Sequence, residues 1–318
     1  MSDSGTLNET PIPSLVTPEL ILQLRSLLWS GEADRKALEE GGISLTPSNF
    51  YSPIPSLMEI ESSFEYSIGI KDSPPYYSES VFGGVDENRQ FLESLVEYAG
   101  EFEPVLDGDE NSVKEFYWNN SQFSFVDAIS YYALIRHYKP NRVFEIGSGF
   151  STLVAKKALE KNGTGSLVCI EPFPRPFLKE LKDIELIESG IQDISVRKIN
   201  DCIGDNDFLF IDSTHSLKTG SDCLYIYLVL LPEMRQKNLK VHVHDVFLPF
   251  GLPKNWLTEH HIYWTEQYLL LAFLRDNPRC KFLFGSAYHR WKNPELLKIL
   301  MHERAAIRGA SFWFDYNC

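Results

Sequence analysis

The sequence predicts an α/β fold built on an open, mostly parallel sheet. Three observations lead there. From residue 142 onward, apolar runs of four or five residues alternate with helical stretches, the pattern of strand–helix–strand units with right-handed crossovers. The first run, Arg142-Val-Phe-Glu-Ile146, leads straight into Gly147-Ser-Gly149 and a helical stretch. Four runs end in residues that carry chemistry: Glu145, Glu171, Asp212 with His215, and His244 with Asp245. In an open parallel sheet the ligand lies beyond the carboxyl ends of the strands, so a site is expected at these ends.

The first unit is the most informative. Val143, Phe144 and Ile146 suit a strand covered on both faces. Gly147 and Gly149 permit a tight turn and a close approach of backbone to a ligand. Ser151 or Thr152 is placed to cap a helix over 153–161, and a helix start beyond a parallel strand attracts polar or anionic groups. The third glycine of the dinucleotide fingerprint is replaced by Ser151 or Thr152. The next strand, Ser166–Ile170, ends in Glu171, 24 residues past Gly147, close to the spacing at which an acid accepts hydrogen bonds from a ribose. The bland alternative is a generic α/β unit with Glu171 as a solvated strand end. Glu145, just before the glycines, argues against it.

Glu145-Ile-Gly-Ser-Gly-Phe-Ser-Thr152 followed by Glu171 resembles the class I S-adenosylmethionine (SAM) dependent methyltransferases. The resemblance covers roughly residues 115–316 and is closest to a bacterial group whose members often act on sugars or secondary metabolites. It implies a Rossmann-like sheet of seven strands, the last antiparallel. It also implies a cofactor site drawn from Glu145, Gly147, Ser148, Gly149, Ser151, Thr152, Glu171, Asp193 and Asp212. In the family the glycine turn passes under the methionine part of SAM and the second-strand acid binds the ribose.

Composition bounds the rest. The 318 residues, 43% of them hydrophobic, are enough for one large domain plus an N-terminal extension. A net charge of -14 argues against nucleic acid or an anionic membrane as partner. The longest apolar run, 224–231, is too short to span a bilayer. Met1-Ser-Asp-Ser-Gly5 lacks the basic, apolar character of a signal peptide, and the five cysteines show no CxxC spacing. Cys169 and Cys223 are expected as core thiols, and the protein as cytosolic and reduced. A homo-oligomer is allowed by the sequence without being required.

Residues 1–13 read as a disordered tail, 14–112 as a helical extension or lid, and 113–318 as the SAM-binding domain. Thr17-Pro-Glu starts a helix; 46–55 and 73–77 are proline-rich loops; a helix follows at about 86–99. Ser124 is placed to cap a helix over 125–138, which Lys139-Pro140 stops. Further strands are expected at 184–187, 207–211, 239–244, 281–285 and 310–314, with helices at 218–231 and 264–275. No internal repeat is present.

Methyl transfer from SAM is an in-line displacement, so the protein must place the acceptor and remove its proton. A hydroxyl acceptor calls for a general base or a metal. His215 and His244 are the candidate bases beside Asp212; a helix-capping His215 is the bland alternative. Asp212, His244 and Asp245 also match, position by position, the strand ends that carry the divalent ion in metal-dependent O-methyltransferases. There the ligands are usually carboxylates or amides, so His244 departs from the pattern and puts magnesium in doubt. His242 reads as a satisfied core histidine, Glu266-Gln267 as first-turn polars, and 247–263 as an aromatic insertion that lines the acceptor pocket or covers the sheet edge. The leading function is O-methylation of a small polar, sugar or secondary-metabolite acceptor. The alternatives are a different metal-dependent reaction on the same fold, or a binding protein without turnover.

Overall fold

The structure, a computed structural model, describes residues 15–66, 79–123, 125–234, 237–302 and 307–316. The expected tail over 1–13, the loop 73–77 and the Ser124 cap lie outside the described residues. The chain divides into two compact units, Met1–Glu61 and Ser62–Cys318. The first contains α1 (Pro18–Leu28) and α2 (Glu32–Glu40), and α3 (Leu57–Ser62) runs to the boundary. Thr17 Oγ1 accepts from Leu20 N at 3.2 Å with Pro18 in the first turn, the helix start that Thr-Pro-Glu predicts.

The second unit holds a seven-stranded sheet in the order β3-β2-β1-β4-β5-β7-β6. Its strands are β1 (Arg142–Ile146), β2 (Ser166–Ile170), β3 (Ile184–Ile187), β4 (Phe208–Ile211), β5 (Leu239–Val243), β6 (Cys280–Gly285) and β7 (Phe312–Tyr316). β1 to β5 pair in parallel, and β7 runs antiparallel between β5 and β6. The unit's helices are α4 (Val85–Ala99), α5 (Phe125–Tyr138), α6 (Phe150–Asn162), α7 (Pro176–Glu180), α8 (Val196–Cys202), α9 (Asp222–Tyr225), α10 (Leu231–Glu233), α11 (Lys254–Thr258), α12 (Glu266–Leu274), α13 (Ser286–Lys292) and α14 (Pro294–Leu300). A π-helical stretch, Ile226–Leu230, joins α9 to α10 just before Pro232, which has no N–H to donate.

Strand alternation divides the core into two layers. Val143, Leu167, Cys169, Phe208, Phe210 and Trp313 pack with α4, α5 and α6. Phe144, Ile146, Val168, Ile170, Leu209, Ile211, Val241 and Val243 pack against the opposite layer, with Ile226, Leu230 and Leu270. The unit boundary falls well before the expected residue 113, because Leu92, Leu95 and Ala99 of α4 are buried in the first of these layers. α5 is buried on every side from Val126 to Ile135.

Some boundaries move for identifiable reasons. β7 begins at Phe312 and not at Ala310, because the N–H groups of Ala310 and Ser311 donate to the Asp127 carboxylate. The helix expected from 218 starts at Asp222, where Ser221 Oγ accepts from Leu224 N. His242 is fully buried as expected, but neither ring nitrogen has a hydrogen-bond partner; the ring stacks on Trp313 with centroids 4.4 Å apart. Cys169 and Cys223 are buried free thiols. No helix among the described residues is long and apolar enough to cross a membrane.

His289 on α13 is fully buried, with Nδ1 accepting from Asn293 Nδ2 and Nε2 unpartnered. Burial pushes its pKa down to about 3. The unfolded chain, with an ordinary histidine, takes up this proton first as pH falls. Stability from this group is therefore complete above pH ~6.5 and lost below it, at up to ~1.4 kcal/mol per pH unit. Denaturant titrations of wild type and His289→Gln at pH 7.5 and 5 should show a smaller acid loss in the variant. An equal loss in both would remove His289 as a cause.

Candidate functional site

The site begins at the turn after β1. Gly147 N donates to Ile170 O at 2.9 Å, and Asp212 N donates to Ile146 O at 2.8 Å, so the ends of β1, β2 and β4 are laced together. Gly147 has φ +83°, and a Cβ there would lie 1.7 Å from the Asp212 carbonyl oxygen. Only glycine fits this position. At Gly149 an added Cβ would meet no protein atom nearer than 3.9 Å.

α6 starts one turn earlier than predicted. Gly149 is its N-cap, and Ser151 and Thr152 lie inside its first turn. Neither is therefore the cap; Thr152 Oγ1 instead accepts from Gly149 N at 3.2 Å and donates to Glu145 Oε2. Glu145 is fully buried and also receives the Tyr131 hydroxyl at 3.1 Å. Burial, outweighing these hydrogen bonds, raises its pKa to about 7. Glu145 thus supports the turn from beneath.

Above the turn lies a cavity of about 460 Å³, within the ordinary range for small-ligand sites. One wall is Ser148, Gly149, Ser151 and Glu171. Glu171 Oε2 accepts from Ser148 N at 3.2 Å and Oε1 from Phe173 N at 2.8 Å, which fixes its carboxylate at the rim. The opposite side is aromatic: Phe123, Trp256 and Trp264, with the two indoles edge to face at 5.3 Å. The insertion 247–263 therefore lines the cavity through Trp256. Of the predicted cofactor residues, Glu145, Gly147 and Thr152 stand behind the wall, and Asp193, exposed on a short 3-10 turn, Ile191–Asp193, does not line the cavity.

Between the walls sit Asp212, His215, His244 and Asp245. His215 Nε2 lies 3.2 Å from Asp212 Oδ1 and 3.6 Å from Asp245 Oδ2, while its Nδ1 is 2.7 Å from Glu266 Oε2. His244 Nδ1 lies 3.4 Å from Asp212 Oδ1 and 3.7 Å from Asp245 Oδ2, and its Nε2 is 3.4 Å from Asp127 Oδ2. His215 caps no helix; its carbonyl accepts from Thr265 N and Glu266 N, which locks the start of α12 to the end of β4.

Charge is the dominant feature. Burial opposes protonation of both histidines, but the carboxylates win. Hydrogen bonds to Asp212 and Glu266 raise His215 to about 10, and Asp245, Asp212 and Asp127 push His244 well above the usual range. Burial tends to raise Asp212, but His244 and His215 hold it well below the usual carboxylate range. Asp245 is raised by burial. Without a metal, both shifts favour the protonated imidazoles, which works against the general-base role expected from the sequence.

Asp212, His244 and Asp245 each bring a ligand atom within 4.8 Å of the others. His244 Nδ1 is buried and has no hydrogen-bond partner among the described residues. A buried nitrogen facing two carboxylate oxygens suits a divalent cation, which would displace its proton.

Sequence reasoning missed Asp127 and Glu266. Glu266 is 2% exposed and also receives the Tyr227 hydroxyl at 3.1 Å, so it is not a solvated first-turn acid. A signal existed for Asp127, a lone acid in the apolar run of α5. None existed for Glu266, since acids are ordinary in a first helical turn.

Residues 144–246 match a family described as a methyltransferase domain. An uncharacterized protein of Archaeoglobus fulgidus is 32% identical over 195 residues, covering 58% of this chain and 84% of its own. Among solved structures, the O-methyltransferase from Bacillus cereus in complex with SAH is 14% identical, covers 72% of this chain and 91% of its own, and has a TM-score of 0.36. The O-methyltransferase TomG from Streptomyces achromogenes, involved in tomaymycin synthesis and in complex with SAM, is 13% identical, covers 72% and 89%, and has a TM-score of 0.34. The chain belongs to the class I SAM-dependent methyltransferase family.

The two glycines should behave differently. Gly147→Ala meets a backbone oxygen in a left-handed conformation and should cost at least ~2 kcal/mol. Gly149→Ala should leave stability within ~1 kcal/mol. Thermal or urea unfolding checks both, and an unaffected Gly147→Ala would contradict the laced turn.

Proposed function

We propose that this protein is a SAM-dependent O-methyltransferase of a small polar acceptor, with a divalent ion held by Asp212, His244 and Asp245. One observation carries the reading. The glycine turn and Glu171 open onto the same cavity as the cation-suited centre. A methyl donor on the first would lie beside an acceptor on the second. Sugar and secondary-metabolite acceptors fit the polar centre and indole wall, and remain the favoured class. The N-terminal residues 14–112 are proposed to contribute to acceptor choice.

SAM, when bound, supplies the electrophilic methyl group. A divalent ion would hold an acceptor hydroxyl and lower its pKa. The chain's own residues do the rest. Glu171 would accept from the ribose hydroxyls, and Ser148, Gly149 and Ser151 would border the methionine part. Asp212 borders both halves of the cavity and sets their spacing. His215, held by Glu266, carries positive charge beside the acceptor oxygen, where negative charge develops. Trp256 and Trp264 keep water from the reacting atoms.

Two measurements test this. Glu171→Ala removes a charged acceptor of hydrogen bonds worth ~1.5–3 kcal/mol each, so SAM affinity by isothermal titration should fall at least ~tenfold. An unchanged dissociation constant in the folded variant would sink the cofactor assignment. Labelled SAM with a panel of hydroxylated acceptors should show turnover that a chelator abolishes and a divalent ion restores. Turnover indifferent to chelator would remove the ion and leave the cofactor site standing.

A further inference from the structure

Asp127 is a buried carboxylate that the proposed reaction leaves without a role. It lies in the first turn of α5, and its surroundings are built around it. Oδ1 accepts from Ser286 Oγ at 2.8 Å and from Ser311 N at 2.9 Å, and Ala310 N lies 2.9 Å from both oxygens. A Cβ on Gly309 would come within 2.5 Å of Oδ1, so the chain wraps the carboxylate closely there. The remaining direction of Oδ2 faces His244 Nε2 at 3.4 Å.

The consequence is at the other end of the imidazole. With Nε2 against Asp127 and the ring beside Phe123, centroids 5.0 Å apart, Nδ1 faces Asp212 and Asp245. A carboxylate that takes the outer N–H of a ligand histidine fixes the tautomer and makes the inner nitrogen a better donor. Magnesium prefers oxygen donors in strict octahedral geometry, whereas imidazole suits later transition ions.

We propose that Asp127 is a positioning residue that directs His244 Nδ1 into the cavity, so that the centre takes a borderline transition ion such as Co2+ or Zn2+ in preference to Mg2+. This rests on the divalent-ion reading above. Asp127→Asn tests it cleanly. With its oxygen at the Oδ1 place, asparagine keeps the bonds from Ser286, Ala310 and Ser311. Its NH2 then faces His244 as a donor, which favours the other tautomer and takes the Nδ1 lone pair out of use.

Calorimetric titration with Co2+, Zn2+ and Mg2+, each alone, is the experiment. Wild type should bind Co2+ at least ~tenfold more tightly than Mg2+, and Asp127→Asn should bind Co2+ ~10–100-fold more weakly. Ser286→Ala, which leaves the His244 contact in place, should stay within ~threefold of wild type. Equal Co2+ affinity in wild type and Asp127→Asn would overturn the role of Asp127 while the ion reading stood. Equal affinity of wild type for Mg2+ and Co2+ would overturn the ion class. A wild type that binds no divalent ion would overturn both this inference and the ion reading. Should Asp127→Asn not fold, long-range 15N–1H correlations on Zn2+-loaded wild type decide. Coordination through Nδ1 with Nε2 protonated supports the proposal, and coordination through Nε2 overturns it.

Discussion

The site depends on how closely the Gly147 backbone lies against the Asp212 carbonyl. A methyl group on residue 147 would need to stand 1.7 Å from that oxygen. The contact exists because the ends of β1 and β4 are hydrogen-bonded past the strands themselves, through Asp212 N and Ile146 O. The turn and the acidic centre are thus held at one fixed separation. Glycine is the condition for that separation, and the cavity between Glu171 and His244 is its result.

A second constraint lies beneath the turn. Glu145 is a carboxylate with no access to solvent, held by Tyr131 and Thr152, and burial raises its pKa to about 7. A buried carboxylate costs stability unless its lone pairs are met. Here meeting them couples α5 to the first turn of α6. The same acid that looked in the sequence like a cofactor contact therefore supports the turn from beneath, and Ser148, Gly149, Ser151 and Glu171 are the residues that line the cavity there.

Legibility in the sequence followed physical range. The sheet was readable because its strands are short apolar runs that repeat with helices between them, and β1 to β3 fall at the residues the pattern gives. Glu171, Asp212, His215, His244 and Asp245 were readable because the carboxyl end of a parallel strand is a local feature. The partners of the histidines were not. Glu266 is 51 residues from His215, and Asp127 is 117 residues from His244. Nothing local distinguishes a first-turn acid that faces water from one that faces an imidazole. The protonation of the two histidines was illegible for the same reason, since it depends on carboxylates that other segments bring.

Those distant acids change what the centre can be. Four carboxylates, Asp127, Asp212, Asp245 and Glu266, surround two histidines. Even with both imidazoles charged, ionised carboxylates leave an excess of negative charge in a largely buried place. Such an excess is destabilising unless a cation or a proton offsets it; burial and the neighbouring Asp212 charge drive Asp245 upward, while His244 and His215 hold Asp212 down. The two outer acids are fully engaged by protein donors, Asp127 by Ser286, Ala310 and Ser311, and Glu266 by His215 and Tyr227. The uncompensated charge therefore falls on Asp212 and Asp245, the two carboxylates that border the cavity. An arrangement that satisfies its outer acids and leaves its inner pair at the cavity, beside an imidazole nitrogen without a hydrogen-bond partner among the described residues, is the physical basis on which the proposed cation site rests.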